Sequence, residues 1–491
     1  MFRMIQLQRI RNMNESLGQQ TIRGVGWSAV ERLSYQGITF LIQIVLARLL
    51  TPDDYGVVAM LAIFLQIAQV FVDSGFANAL IKKQDCSDVD YSTVFFYNIG
   101  VAIILYGLLF VSAPFISGFY NLPLLVPVLR VLSLTLIFNA LSIVQQTQLV
   151  KKVDFKSQSI VTFTSAVVSG AVGIYCAYSG YGPWALVIQQ LLNSVLKSIL
   201  FFVIVHWIPR LEFSVDSFRF VFNFGSKLLA SVLIDVIYRN LYKLVIGKNF
   251  QERDLGYYSK ADEFAIFPSS NIGNIISRVC FPVLSKIQDD DARLSTVYRS
   301  LIRYSSWVIF PMMIGLLAVS EPFILTFLKE PWAPAVPLLR ILCLDWMLDY
   351  LCILNQNLLF VKGRTDLVLK LQIIKKTIAV TILFVSIPFG LLGMCWGRVI
   401  YSVIAVCINT YYTKKIIGLS LFSQIRDFIP YLTASTVMGF VVYLSFGMFD
   451  SNSLKLVMGV VVGILFYSAV SLLFFRKDIS GLKSFKRVNN G

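Results

Sequence analysis

Histidine is almost missing from this chain: 491 residues hold one, His206, beside Trp207 at the end of an apolar run. Imidazole pairs for catalysis or metal binding are therefore excluded, and an interfacial place for His206 is the expected one. Paired cysteines are missing too. Cys86, Cys176, Cys280, Cys343, Cys352, Cys395 and Cys407 stand singly, mostly inside apolar segments, without CxxC or metal-ligand spacing. They read as small buried hydrophobes, so no metal and no cofactor is expected. Charge is scarce, at 14% of residues against about a quarter in soluble domains. Long loops are absent as well, and none exceeds about 20 residues, too few for an extramembrane catalytic or nucleotide-binding domain. GxxxxGK[ST], GxSxG and HExxH do not occur. These absences exclude an ATP-driven pump on this chain alone and point away from an enzyme.

What is present is apolar. Hydrophobic residues make up 57% of the chain and mean hydropathy is +0.72. Segments of about 20 apolar residues recur from end to end, each long enough to cross a ~30 Å hydrocarbon core. Barrel strands would be shorter and alternate, so the expected class is all-α, a polytopic membrane protein. We place about 14 spans, the first at roughly 24–50 and the last at roughly 454–475. The opening "MFRMIQLQRIRNMNESLGQQTIRG" is basic and polar without an apolar core, which predicts a cytoplasmic tail and not a signal peptide. With that end inside, inward loops such as "IKKQDCSDVD", "KKVDFK" and "TKKIIG" and the tail after 475 collect most of the Lys and Arg. The net charge of +16 is thus a positive-inside topology signal, and no nucleic-acid partner is expected.

The sequence repeats itself. "SAPFISGF" (112–119) returns as "SEPFILTF" (320–327), "PVLRVL" (127–132) as "PLLRIL" (337–342), and "TPDDYGVVA" (51–59) more faintly as "QERDLGYYS" (251–259). The offset corresponds to six spans, an even number, so the copies are parallel repeats. The expected organisation is a cytoplasmic tail over 1–23, a six-helix N-lobe over 24–210, a six-helix C-lobe over 211–417, two further helices over 418–475 and a basic cytoplasmic tail over 476–491.

Charges inside apolar spans are costly, and their placement carries the functional signal. "LQIIKKTIAV" (371–380) sets Gln372, Lys375 and Lys376 at i, i+3 and i+4 of the eleventh span, with Lys375 about 14 Å deep at ~1.5 Å per residue. The seventh span carries Lys227, then Asp235, Arg239 and Lys243 along one stripe. The eighth carries Lys260, Asp262, Glu263, Asn271, Asn274 and Arg278. Glu31, Arg32 and Gln36 lie on the first, Gln66, Gln69 and Asp73 on the second, and Asp345 and Asp349 on the tenth. Bland readings stand beside the functional one: Asp235 with Arg239, and Asp345 with Arg340, as structural ion pairs; the amides as interhelical hydrogen bonds. A cationic, amide-lined cavity suits a lipid-linked anion with a sugar head, whose phosphates meet Lys and Arg while its tail stays in lipid. On that reading Arg32, Lys227, Arg239, Arg278, Lys375 and Lys376 form the anion-binding wall, and Asp235 and Asp73 are candidates for ion coupling or charge pairing.

The stretches "LARLLTPDDYGVVAM", "FVDSGFANALIKKQD", "FGSKLLASVLIDVIYRNLYKLVIGK", "LGYYSKADEFAIFPSSNIGNIISRVCFPVLSKIQDD" and "LLRILCLDWMLDYLCILNQNLLFVKGRTDLVLK" together resemble the polysaccharide-exporter and Wzx-type flippase family, in its colanic-acid and teichuronic-acid branch. The resemblance runs from about 21 to 420. It implies the two-lobed fold of the multidrug/oligosaccharidyl-lipid/polysaccharide exporter superfamily. It also implies alternating access that moves an undecaprenyl-diphosphate-linked oligosaccharide to the outer leaflet of a bacterial inner membrane for surface polysaccharide assembly. The implied partners are that lipid, membrane lipids, a coupling cation (H+ or Na+) and polysaccharide polymerase or export machinery. Competing readings are a cation-coupled multidrug exporter of the same fold, a peptidoglycan lipid II flippase, and a non-transporting scaffold for polysaccharide enzymes.

Overall fold

In the computed structural model, residues 35–73, 75–83 and 85–476 are described. The described residues form helices and turns and no strand. In chain order the helices are α1 Tyr35–Leu49, α2 Pro52–Asp73, α3 Phe76–Lys82, α4 Asp88–Tyr120, α5 Leu125–Leu132, α6 Leu134–Lys151, α7 Phe155–Tyr178, α8 Trp184–Val205 and α9 Val215–Asn249. There follow α10 Glu252–Ser285, α11 Asp291–Ala318, α12 Ser320–Phe327, α13 Ala335–Trp346, α14 Asp349–Val361, α15 Thr365–Ser386, α16 Gly390–Ile417, α17 Leu421–Ser445 and α18 Asn452–Phe474.

Among the described residues nine helical stretches are long and apolar enough to cross a membrane, one of them, Asp366–Ile417, being α15 and α16 joined through the 3-10 turn Ile387–Phe389. The protein is a multi-pass membrane protein. The charged helices α9 and α10, expected as the seventh and eighth spans, are not among the nine. The tenth expected span divides at Met347–Leu348 into α13 and α14. Ile104, Val111 and Phe115 of α4 are 69%, 68% and 77% exposed, apolar surface that only lipid can solvate without cost.

Local sequence sets the helix ends. Ser87 and Asp90 make a reciprocal capping box at the start of α4, and Ser214, Asp290 and Ser420 cap α9, α11 and α17 by accepting from the amide three residues on. His206 closes α8 in a left-handed conformation, its Nδ1 3.0 Å from the carbonyl of Ile204.

The residues fall into two compact units, 1–256 and 257–491. In the first, small residues admit close helix packing: Gly170 of α7 faces Ile42 of α1, and Gly173 faces Gln189 of α8. Interhelical amide bonds join α2 to its neighbours, Asn240 to Gln66 at 2.8 Å and Asn139 to Gln69 at 2.9 Å. An apolar cluster of Phe76, Leu80, Val94, Phe95, Val144 and Val221 fills the space beside them. The faintest of the sequence repeats makes a reciprocal contact in this unit. A Cβ on Gly56 would lie 1.8 Å from the Glu252 carbonyl oxygen, and one on Gly256 would lie 1.9 Å from that of Pro52. Residue pairs 52/252 and 56/256 thus cross each other, and Asp53 and Arg253, at the same step of the repeat, pair at 3.1 Å. Such an exchange, i on j and j on i, is the signature of a two-fold contact.

The second unit is built on α11 against α17, clamped by Arg299, which holds Asp427 with both Nε (2.7 Å) and Nη2 (2.9 Å). In α18 the run Gly459–Gly463 is a GxxxG face, packed on Val442 of α17. The Trp307 indole of α11 donates to Ser471 of α18 at 3.0 Å.

Candidate functional site

The eleventh residue of α15 is Lys375. Its helix turns Leu369, Ile373 and Phe384 outward and Lys375 inward, leaving the lysine 7% exposed. Gln372, one turn earlier on the same face, joins it along one wall of a cavity of about 170 Å³. Asp349, Cys352 and Gln356 of α14 and Tyr401, Ser402 and Ala405 of α16 complete the lining. Among the described residues no carboxylate forms an ion pair with Lys375. Asp349 in the same wall offsets part of the charge without pairing directly, and the polar cavity between them supplies water or an anion to solvate the buried ammonium. At roughly 30 Å³ per water the space holds about five waters or one phosphate-sized group, and no sugar chain.

Behind Ser402 lies a second polar layer. Ser402 donates to Asp345 of α13, whose other oxygen is 2.6 Å from Arg398 Nη2. Arg398 Nη1 reaches Asp262 of α10 at 2.8 Å and the Tyr258 hydroxyl at 2.6 Å. Trp346 stacks its ring on the same guanidinium, 5.3 Å from Cζ to the ring centroid, and donates its indole N–H to Asp262 at 2.9 Å. Two carboxylates and one arginine, none of them more than 17% exposed at the side chain, fix the geometry of α10, α13 and α16 behind the cavity. A fork of five donors is what lets one arginine serve both carboxylates and a phenol.

The sequence-derived candidates fare differently. Lys375 and Gln372 share the cavity; Lys376 does not line it. Arg239 is exposed and pairs with Asp235 one turn away at 2.8 Å, the i, i+4 ion pair weighed as the structural alternative. Asp73 accepts a hydrogen bond from Gln69 at 2.9 Å. Arg32 lies outside the described residues, and so do the side chains of Lys227 and Arg278, whose backbones belong to α9 and α10. Lys260, 2% exposed, pairs with Glu263 at 2.7 Å. Asp345 does not pair with Arg340: its partner is Arg398, while Arg340 holds Glu321 at 3.0 Å and Ser320 at 2.9 Å. Arg398 was missed. The signal was there, one arginine inside the apolar "MCWGRVIYS", where an intramembrane charge demands a partner.

A family profile described as "Polysaccharide biosynthesis protein" matches residues 45–337. The chain belongs to that polysaccharide biosynthesis family. Among curated relatives the family member is 28% identical over 431 residues to the teichuronic acid biosynthesis protein TuaB of Bacillus subtilis, covering 87% of this chain and 89% of that one. It is 25% identical over 334 residues to the succinoglycan biosynthesis transport protein ExoT of Rhizobium meliloti, covering 68% of each. Its fold matches the inward closed conformation of the lipid II flippase MurJ with a TM-score of 0.73 at 17% identity, over 92% of this chain and 99% of that one. The likeness to MurJ is one of fold.

Proposed function

We propose that this polysaccharide biosynthesis protein is a flippase that carries a lipid-linked oligosaccharide across a membrane by alternating access, without catalysing a chemical step. Family membership supports the polysaccharide context. The transport role named for ExoT and the shared fold of a flippase support the type of action. The observation that carries the reading is Lys375: a buried lysine facing a cavity of phosphate size lined by the amides of Gln356 and Gln372, the hydroxyls of Tyr401 and Ser402 and one carboxylate, Asp349. In the proposal it meets a phosphate of the carrier, an undecaprenyl diphosphate, while the sugars stay in a wider passage. Arg32, Lys227, Arg239, Arg278 and Lys376 extend the cationic wall, within two repeat-related lobes at 24–210 and 211–417. The membrane is a bacterial inner membrane with both termini cytoplasmic, a coupling cation drives the cycle, and polymerase or export machinery receives the product.

Of the competing readings, a cation-coupled drug exporter requires buried carboxylates able to bind cargo or cation. In the second unit Asp262 and Asp345 already share Arg398 and Asp427 is held by Arg299, so Asp349, in the wall of the Lys375 cavity, is the carboxylate that reading would have to use. The test is leaflet exposure of a fluorescent undecaprenyl-diphosphate oligosaccharide in proteoliposomes, for wild type and for Lys375→Gln. Translocation by wild type with at least a tenfold loss in the variant, at unchanged melting temperature, is the expected outcome. Equal rates would remove Lys375 from the site, and export of a cationic dye without lipid flipping would overturn the flippase reading.

A further inference from the structure

In the first unit, α8 carries a charge that the Lys375 site does not use. It spans Trp184–Val205, is long and apolar enough to cross a membrane, and holds a single charged residue, Lys197. At ~1.5 Å per residue Lys197 lies about 12 Å from the nearer end of that helix, inside a ~30 Å hydrocarbon core. Among the described residues no carboxylate pairs with it. Its contact is Tyr35 of α1, with Nζ 3.5 Å from the hydroxyl and 5.3 Å from the ring centroid. That contact takes at most one of the three ammonium donors and supplies no negative charge. A cation at this depth is costly unless it faces water or an anion.

The helix turns this face away from lipid. Ile199 and Val203, each 53% exposed, mark the lipid side of α8. At about 100° per residue Lys197 stands about 160° from Ile199 and about 120° from Val203. Gln190, Asn193 and Lys197, at i, i+3 and i+7, fall within about 60° of one another on that far side. Asn193 is tied into the lobe, its Nδ2 donating to Ser169 of α7 at 3.1 Å. Gln190 is exposed and Lys197 half-buried, so both remain within reach of a ligand. α8 thus shows two accessible strips, an apolar one toward lipid and a polar one turned from it. From Lys197 to Gln190 the polar strip runs about 10 Å, longer than one phosphate group and suited to an anion with an attached sugar.

We propose that this strip is a further cargo contact, with Lys197 binding an anionic group of the lipid-linked oligosaccharide and Gln190 hydrogen-bonding a sugar hydroxyl. The assignment rests on the transport reading and extends it, because no residue of the cationic wall named above lies on α8. An ammonium favours an anion, and an exposed amide serves hydroxyls as both donor and acceptor, so the two together select a head that is charged and hydroxylated. Two sources share the anion chemistry, the diphosphate of the carrier and the carboxylate of an acidic sugar.

The test titrates purified full-length protein in detergent against three fluorescent lipids and reads polarisation. The lipids are undecaprenyl diphosphate, that carrier with a neutral oligosaccharide, and that carrier with a uronate-containing one. Losing one charged hydrogen bond of about 1.5–3 kcal/mol corresponds to a roughly 10- to 150-fold weakening, and a neutral one of about 0.5–1.5 kcal/mol to roughly 2- to 13-fold. Lys197→Gln is expected to show the larger loss, Lys197→Arg to recover most of it, and Gln190→Leu to show the smaller loss with the sugar-bearing lipids alone. A Lys197→Gln loss common to all three lipids identifies the diphosphate, and one confined to the uronate lipid identifies the acidic sugar; either supports the contact. Tyr35→Phe keeps the ring and removes the hydroxyl, so binding close to wild type is expected. A loss there equal to that of Lys197→Gln would show that Lys197 serves its pair with Tyr35, and overturns the proposal. Unchanged binding in Lys197→Gln overturns it while leaving the flippase reading standing, whereas a wild type that binds none of the three lipids removes both. Taking a charge out of a span lowers the cost of insertion, so Lys197→Gln folds.

Discussion

Replacing Gly56 or Gly256 with alanine forces apart two helices whose backbones touch. The added Cβ would sit 1.8 Å from the Glu252 carbonyl in one case and 1.9 Å from the Pro52 carbonyl in the other, where ordinary contacts begin at 3.4 Å. Both obstacles are backbone, so no side chain can swing aside, and relief takes about 1.5 Å of helix separation. Overpacking of this kind costs about 1–3 kcal/mol, and alanine's better helix propensity returns up to about 1 kcal/mol. The Asp53–Arg253 pair, half-exposed, adds at most about 1 kcal/mol when it opens. Each single variant should therefore lose about 1–2 kcal/mol.

The informative quantity is the double variant. Once one alanine has parted α2 from α10, the reciprocal contact is already relieved, so the second substitution costs little and contributes its helix propensity. Gly56→Ala/Gly256→Ala is expected to be no less stable than the worse single, a coupling of about 1–3 kcal/mol. Thermal denaturation of the purified protein in one detergent, wild type against the three variants, measures this as midpoint shifts. Additive losses would show that the two glycines act at separate contacts, and unchanged single variants would show that the helices do not meet at the close distance described.

Arg398→Met should cost about 3–5 kcal/mol, because it removes the guanidinium that both Asp262 and Asp345 hold; a melting point equal to wild type would refute the network. Arg398→Lys is expected to recover only part of that loss, since a lysine cannot span both carboxylates and Tyr258. Val153→Gly should raise stability by up to about 1 kcal/mol by relieving the left-handed valine, while Val153→Ala should not, a pair that the same melting assay separates.

The helical class was legible because apolar runs of bilayer length leave a chain few other choices, and the i, i+4 pair of Asp235 with Arg239 was legible because one helix carries both partners. Asp345 shows where that legibility stops. Arg340 is five residues away, about 140° around the helix at 100° per residue, so proximity in sequence placed it on a different face. The true partner, Arg398, comes from a helix 53 positions later, and no periodicity within one span reports which other span it will meet. Lys375 was found because its cost was visible without knowing its surroundings. Its cavity was not, since Gln356, Tyr401 and Ser402 are unremarkable residues until three helices converge on them.

The repeat inverts the usual weighting of sequence signals. "SAPFISGF" and "SEPFILTF" are the better match, yet the faint pair "TPDDYG" and "QERDLG" makes the reciprocal contact. The reason is physical. That contact constrains a glycine at one step and a backbone carbonyl four residues earlier, and any residue supplies the carbonyl. Pro52 can thus take in one copy the place that Glu252 takes in the other, and Asp53 that of Arg253, without loosening the crossing. A contact made mainly by backbone leaves side chains free to diverge, so its trace in the sequence reduces to a glycine at matched positions, Gly56 and Gly256, 200 residues apart.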